Sequence, residues 1–159
     1  MKKFFISFFA IVLIQFSFGQ MLNPVKWTTK IEQTGKGEYK LIFSAKVEKN
    51  WHIYTQTIVG DGPIPTSLTF DKTNKDVQLI GKPTENGTKI HSGHDPVFDI
   101  DLKYFENDMV LEQKLKVLKN TKLKVAMEYM SCDDSRCVGP LSEDFEFDLT
   151  LSGDPQKKN

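Results

Sequence analysis

Apolar and polar side chains alternate along much of this chain. The clearest run is Tyr39–Val47, where every second residue is apolar and the residues between them are lysine or serine, apart from Ile42. A period of two predicts a β-strand with one buried face and one solvent-exposed face. The runs Leu111–Val117, Leu123–Tyr129 and Phe145–Leu151 largely share this period.

Shorter strands are predicted between these runs, and Asn86-Gly87 is typical of a turn. They are Val25–Ile31, Trp51–Gln56, Ser67–Phe70, Val77–Gly81 and Val97–Phe105. No stretch shows a convincing amphipathic helix. Eight or nine short strands, each with one apolar face, predict an all-β protein built as a two-sheet β-sandwich.

The N-terminal residues 1–20 have the pattern of a secretory signal peptide. Lys2 and Lys3 precede a mostly apolar run over residues 4–18, and Gly19 is a small residue at the expected cleavage point. That run is shorter than the roughly 20 residues of a membrane span. We therefore expect one soluble, periplasmic domain over residues 21–152, followed by a disordered tail over residues 153–159.

The charge balance narrows the range of partners. Loss of the leader would leave two more acidic than basic residues, with both signs interspersed along the domain. This near-neutral balance argues against nucleic acid or an anionic membrane surface as the main partner.

The two cysteines, Cys132 and Cys137, directly follow a predicted strand. Extended chain would hold them roughly 16 Å apart, whereas a disulfide needs Cα atoms within about 7 Å. A bond therefore requires a tight turn, for which Asp133, Asp134 and Ser135 are well suited. A loop this short contributes only about 2 kcal/mol to stability, which favours a bond that is made and broken. Small secreted domains also carry structural disulfides, so spacing alone leaves both roles open.

Other residues are weaker candidates for chemistry. His52 and Tyr54 lie on one face of a predicted strand, with Trp51 and Ile53 on the core face.

Two groups of residues in the sequence could bind a metal. His91 and His94 stand beside Asp95, but zinc needs three or four ligands, and a solvated loop is the favoured interpretation. Met127 and Met130 with the cysteines form a soft-ligand set suited to Cu(I), although Met127 falls on an apolar face. We predict no metal and no cofactor. No motif of a nucleophilic hydrolase is present.

The segment Tyr129–Pro140 resembles the redox loop of the amino-terminal periplasmic domain of the DsbD thiol:disulfide interchange proteins. Trp51–Gln56 is similar to that family's aromatic strand, Gly62–Phe70 to the segment after it, and Asp95–Phe98 to its cap loop. These pieces follow the family's order over about Trp51 to Phe147. The spacer between the cysteines has four residues, where the best-known members have five.

The resemblance implies an immunoglobulin-like sandwich with a redox loop and a cap loop at one end. Such a domain would receive electrons from a separate membrane protein and pass them to periplasmic thioredoxin-fold proteins by dithiol–disulfide exchange. By the same resemblance, Cys137 forms the mixed disulfide with partners, Cys132 resolves it, Phe98 shields the sulfurs and Tyr54 lies beside the pair. His52 stands where the best-known members carry a tyrosine, and would add a pH dependence if it faces the sulfurs.

The charges of the predicted loop bear on thiol reactivity. Asp133 and Asp134 disfavour a thiolate, while Arg136 favours it, so the thiols should stay mostly protonated until a partner docks. A thiol:disulfide oxidoreductase that relays electrons ranks first. A non-catalytic secreted binding module with a structural disulfide ranks second, and a Cu(I) carrier third. The pathway served, whether cytochrome c biogenesis, disulfide isomerisation or repair of oxidised proteins, stays open.

Overall fold

The computed structural model describes residues 22–95 and 98–151, which form strands and turns without any helix. The predicted leader and tail and residues 96 and 97 lie outside this part of the chain. The ten strands are β1 (Val25–Gly35), β2 (Glu38–Val47), β3 (His52–Tyr54), β4 (Ser67–Phe70), β5 (Val77–Asn86), β6 (Lys89–Asp95), β7 (Ile100–Glu106), β8 (Asp108–Val117), β9 (Thr121–Cys132) and β10 (Cys137–Leu149). No helix in residues 22–95 or 98–151 has the length and apolar character needed to cross a membrane.

The strands form two antiparallel sheets. The first has the order β1-β2-β8-β5, and the second has the order β10-β9-β3-β7-β6. In the second sheet, the short strands β3 and β4 both pair with β9, β3 near its C-terminal end and β4 further back. The prediction of an all-β, immunoglobulin-like two-sheet sandwich is confirmed.

The main core lies between the two sheets and consists of alternate residues of facing strands. Leu41 and Phe43 of β2 are fully buried, as are Leu123, Val125 and Met127 of β9. This burial follows from the period-two pattern, because every second side chain of a strand points to the same face. Trp51 and Ile53 also join this core, as predicted.

Strand β9 has a second face that points away from this core. Tyr129 and Ser131 point inward, while Met130 and Cys132 point to the outer face of the second sheet. There Cys132 joins a smaller apolar cluster with Tyr54 and Leu102. The sandwich thus has a large core between the sheets and a small one outside, next to the cysteines.

Two local predictions were wrong. The histidine-containing segment predicted as a solvated loop is largely strand β6, whose residues Lys89–Asp95 pair with β7. This strand forms the edge of its sheet and its side chains are mostly exposed, so it carries no alternating apolar signal. As a result, the strand predicted over Val97–Phe105 instead begins at Ile100.

The Gly139-Pro140 pair, a dipeptide typical of turns, lies within β10. Pairing with β9 is irregular between Val138 and Leu141 and then continues to Leu149. Gly139 has a φ of 144°, a conformation that side-chain-bearing residues rarely adopt. The glycine therefore permits an irregularity in a continuing strand.

Candidate functional site

The two cysteines close the hairpin formed by β9 and β10. Cys132 and Cys137 are cross-strand partners and form a disulfide, with Cα atoms 4.0 Å apart. Asp133 Oδ1 accepts hydrogen bonds from the Ser135 amide (2.8 Å), the Ser135 hydroxyl (2.8 Å) and the Arg136 amide (2.9 Å). The Asp133 amide donates to the Arg136 carbonyl at 2.9 Å. The predicted tight turn is confirmed, and the bonds from Ser135 and Arg136 lower the pKa of Asp133.

The two sulfur-bearing residues differ sharply in their access to solvent. Cys132 is 2% exposed and lies within the small outer cluster. Cys137, at the start of β10, is exposed. A molecule approaching from solvent can therefore reach Cys137 but not Cys132.

Two apolar residues, one after β6 and one at the start of β7, lie at the small outer cluster. Phe98 and Ile100 pack against the cluster that contains Cys132. Asp95 Oδ1 accepts a hydrogen bond from the Phe98 amide (3.1 Å), and the Asp95 carbonyl oxygen accepts one from the Asp99 amide (2.8 Å). Asp99 adopts a positive φ of 55°. Phe98, the cap aromatic implied by the resemblance, thus packs on the cluster that contains the buried cysteine.

Four aromatic rings lie beside the disulfide on the outer face of the sheet. His52 is the cross-strand partner of Cys132. Its Nε2 lies 3.1 Å from the Tyr54 hydroxyl oxygen, and its ring centroid lies 4.3 Å from that of Tyr104. His91 stacks on the other side of Tyr104, with centroids 5.1 Å apart. His52 and Tyr54 therefore share a face, as predicted, and both lie at the cysteines.

Burial sets the protonation states of His52 and Tyr54. Burial lowers the pKa of His52, and nearby carboxylates, led by Glu106, only partly offset the effect. The imidazole is thus neutral at pH 7. Burial raises the pKa of Tyr54 to about 12, so its hydroxyl stays protonated.

The charged residues of the turn lie at the surface. Arg136 lies 5.6 Å from the ring centroid of Trp51, within range of a cation–π contact, and its Nε is 3.5 Å from Asp133 Oδ2. Asp134 is exposed. Arg136 therefore has both an aromatic and an acidic partner beside the exposed cysteine.

The tyrosine at the start of the redox-loop motif lies elsewhere. The Tyr129 ring is buried in the main core, and its hydroxyl donates to Asn23 Oδ1 and Glu143 Oε1, each at 3.1 Å. Burial raises its pKa to about 12. Tyr129 thus supports the hairpin from the core side.

The candidate metal ligands do not converge. His91 Nε2 lies 3.1 Å from Glu106 Oε1, without the geometry of a hydrogen bond, and His94 approaches Asp99 and Asp101 at 3.3 and 3.9 Å. Within residues 22–95 and 98–151, no three His, Cys, Asp or Glu side chains gather in a way that could hold a metal ion. Met127 is fully buried in the main core, as its pattern predicted. Met130 packs against the outer cluster that contains Cys132. The Met127 thioether, the other soft ligand of the possible Cu(I) site, lies on the opposite face of β9.

Sequence reasoning missed Tyr104 and Glu106. They are the β7 partners of Tyr54 and His52, and they complete the outer face beside the cysteines. The alternation of Leu102, Tyr104 and Glu106 in the sequence could have placed them on one face. Only the strand order brings that face to the site.

Comparisons with known proteins agree with this geometry. The family model described as "Thiol:disulfide interchange protein DsbD, N-terminal" matches residues 20–149. A search of the curated proteins finds no match.

Three solved structures are similar to this chain at low sequence identity. The N-terminal periplasmic domain of ScsB from Proteus mirabilis has a TM-score of 0.56 and 13% identity, over 82% of this chain and 47% of that one, so this chain spans about half of its length. The reduced DsbD N-terminal domain from Neisseria meningitidis has a TM-score of 0.51 and 12% identity, over 78% of this chain and 86% of that one. The complex between the DsbD and PilB N-terminal domains from Neisseria meningitidis gives a TM-score of 0.48 and 12% identity, over 82% of this chain and 89% of that one. Because the family model covers most of the sequence, this chain belongs to the DsbD N-terminal domain family of thiol:disulfide interchange proteins.

Proposed function

We propose that this protein is a thiol:disulfide oxidoreductase that relays electrons through reversible opening of the Cys132–Cys137 bond. In the reduced protein, the Cys137 thiolate attacks a disulfide of a partner. One partner sulfur leaves with the electron pair, and a mixed disulfide forms. Cys132 then attacks Cys137, which restores the internal bond and releases the second partner sulfur. The partner gains two electrons and the pair loses two.

The observation that carries this proposal is the unequal exposure of the two bonded cysteines. Exchange with a partner takes place at the sulfur that the partner can reach, because its rate depends on access. Cys137 is exposed, while Cys132 is 2% exposed and packed in the same cluster as Phe98. This division supports Cys137 as the attacking residue and Cys132 as the resolving one.

The surroundings of the pair suit a relay that avoids stray reactions. Phe98 packs on the cluster that holds Cys132, and we propose that it shields the sulfurs until a partner docks. Asp133 and Asp134 disfavour a thiolate at the turn, while Arg136 favours one. We propose that the dithiol reacts slowly with small molecules and faster with a docked partner.

The cellular setting forms part of the same proposal. A leader over residues 1–20 would send the domain to the periplasm. The electron acceptors would be thioredoxin-fold proteins, and the donor would be a membrane reductase.

The reduction potential of the purified mature protein tests the function. Redox buffers with alkylation trapping should give a value between about −180 and −270 mV, the range of known exchange proteins. A value well below about −300 mV would instead indicate a structural disulfide. In that case the exchange proposal fails, and a binding module is the better interpretation.

Trapping of partners provides a matched comparison. The Cys132→Ala variant keeps the exposed thiol and should accumulate mixed disulfides with periplasmic proteins. The Cys137→Ala variant keeps only the buried thiol and should accumulate few. Equal trapping by both variants would contradict the assigned roles.

A further inference from the structure

A row of side chains crosses the outer face of the second sheet and ends at the disulfide. The strand register places the following residues opposite one another, in the order β10, β9, β3, β7 and β6: Cys137, Cys132, His52, Glu106 and Lys89. Directly opposite residues of antiparallel strands share a face, with Cβ atoms about 5 Å apart. His52 is therefore the neighbour of the buried cysteine, with the exposed one a strand further away.

The His52 ring is held in place by neighbours on three strands. Tyr54, on its own strand, contacts Nε2 at 3.1 Å, and Tyr104 of β7 lies against the ring face with a centroid distance of 4.3 Å. Behind Tyr104, His91 of β6 stacks in turn. Lys89 and His91 both approach the Glu106 carboxylate. The imidazole thus belongs to an ordered group between the disulfide and the sheet edge.

We propose that His52 accepts the thiol proton of Cys132 when Cys132 resolves a mixed disulfide, an inference that rests on the exchange function proposed above. In this step Cys132 Sγ bonds to Cys137 Sγ, and the bond between Cys137 and the partner's sulfur breaks. The partner leaves as a thiolate with the electron pair, and the Cys132 proton passes to His52 Nδ1. The proposed step uses the tautomer in which Nε2–H donates to the Tyr54 hydroxyl oxygen, 3.1 Å away, and Nδ1 carries the lone pair.

The need for such a base follows from the burial of Cys132. A thiol in apolar surroundings ionises with difficulty, yet only the thiolate attacks a disulfide. A base next to the thiol can take up the proton as the new sulfur–sulfur bond forms. Cys137 has no such need, because it is exposed and a partner can activate it.

The charges around His52 fit a group that is neutral at rest and cationic after the transfer. Burial lowers its pKa, so the free imidazole can accept a proton at pH 7. The carboxylates of Glu106, Asp95, Asp134 and Asp133 all favour the protonated ring. Tyr54 and Tyr104 stay protonated, because burial raises the pKa of each. Carboxylates on three sides thus stabilise the imidazolium once it forms.

The two exchange steps can be observed separately with Ellman's reagent. When reduced protein is mixed with the reagent, attack by Cys137 releases one thionitrobenzoate at a rate proportional to the reagent concentration. Attack by Cys132 on the resulting mixed disulfide releases a second one at a rate independent of that concentration. The Cys132→Ala variant should release only the first, which assigns the phases.

Substitution of His52 should slow only the second phase. General-base assistance contributes roughly 10²–10⁴-fold, and we expect at least about a tenfold loss at pH 7 in His52→Gln, with the first phase within about twofold of wild type. The wild-type second phase should level off above the pKa of His52, which burial lowers, whereas the second phase of the variant should keep rising into the alkaline range. His52→Tyr, which keeps a ring at this position, serves as the second variant, and circular dichroism checks the folding of both.

Two further variants separate proton transfer from a structural effect. Glu106→Gln removes a charge that favours the imidazolium and should move the midpoint of the second phase to lower pH. His94→Gln removes a histidine from the exposed edge strand, away from the cysteines, and should change neither phase.

The results can refute the proton-acceptor role of His52 separately from the proposed exchange function. A normal second phase in wild type that is unchanged in both His52 variants at every pH would overturn the proton-acceptor role alone. If the second release in wild type depends on reagent concentration, Cys132 does not resolve the mixed disulfide. That result would overturn the exchange function together with the role of His52.

Discussion

Reduction of the Cys132–Cys137 bond should weaken the fold by only about 2 kcal/mol. The bonded residues are separated by five positions in the sequence, and the chain-entropy model gives a loop of this size about 2 kcal/mol. The turn has its own support, because Asp133 accepts three hydrogen bonds and the β9–β10 pairing extends back to Thr121. We therefore expect reduced protein to stay folded, with a lower free energy of unfolding.

The same free energy should also change the reduction potential of the Cys132–Cys137 pair. Folding and reduction form a thermodynamic cycle, so a bond that stabilises the fold by about 2 kcal/mol is itself stabilised by folding to the same extent. For a two-electron couple this corresponds to about 40 mV. The potential of the folded protein should be more negative by that amount than the potential of the chain unfolded in guanidinium chloride.

Two independent measurements test this reasoning. Guanidinium unfolding of the oxidised and reduced forms, followed by tryptophan fluorescence, gives the difference in free energy. Redox titration of the native and denatured protein gives the difference in potential. The double variant Cys132→Ala/Cys137→Ala should unfold close to the reduced wild type. A loss above about 4 kcal/mol, or complete unfolding on reduction, would show that the bond holds the fold together and would refute the argument.

Three further predictions concern residues around the site. Phe98→Ala should speed the alkylation of Cys132 in reduced protein several-fold, measured with iodoacetamide and mass spectrometry; an unchanged rate would mean that Phe98 does not limit access. Gly87→Ala should destabilise the domain by roughly 1–3 kcal/mol, because an added Cβ would lie 2.7 Å from the Asp108 carbonyl oxygen; a melting temperature equal to wild type would contradict this. The pKa of Asp133 is lowered by its hydrogen bonds, so its charge stabilises the fold above the ordinary pKa of about 4, and this contribution is lost as the pH falls through the lowered value. Asp133→Asn should therefore lose less melting temperature than wild type between pH 5 and pH 3, and identical losses would argue against that linkage.

The sandwich could be predicted from the sequence because most strands have one face in the core. Tyr39–Val47 shows this pattern clearly, and the structure buries its alternate residues. Strand β6 could not be predicted from an alternation of apolar and polar residues. It buries little and lies at a sheet edge, so its sequence has no apolar period, and its formation depends on pairing with β7.

The candidate site was predictable where it depends on local geometry. The turn at Asp133 follows from spacing and side-chain chemistry, and the shared face of His52 and Tyr54 follows from strand alternation. Which residues face Cys132 depends on the register between β9, β3 and β7, a long-range property that no local pattern encodes. For this reason Tyr104 and Glu106 were missed.

The two faces of β9 restrict how this sequence can change in length. Tyr129 and Ser131 belong to the core, and Cys132 belongs to the outer cluster. The face on which the sulfur lies is therefore set by the alternation of side chains along β9. Insertion or deletion of one residue between Tyr129 and Cys132 would turn the cysteine toward the core and a core residue toward solvent. A length change between Asp133 and Arg136 would fall in the turn and leave the faces of β9 unchanged. The spacer between the cysteines can therefore change in length without reversing these faces, while the strand before it tolerates insertions and deletions only in pairs.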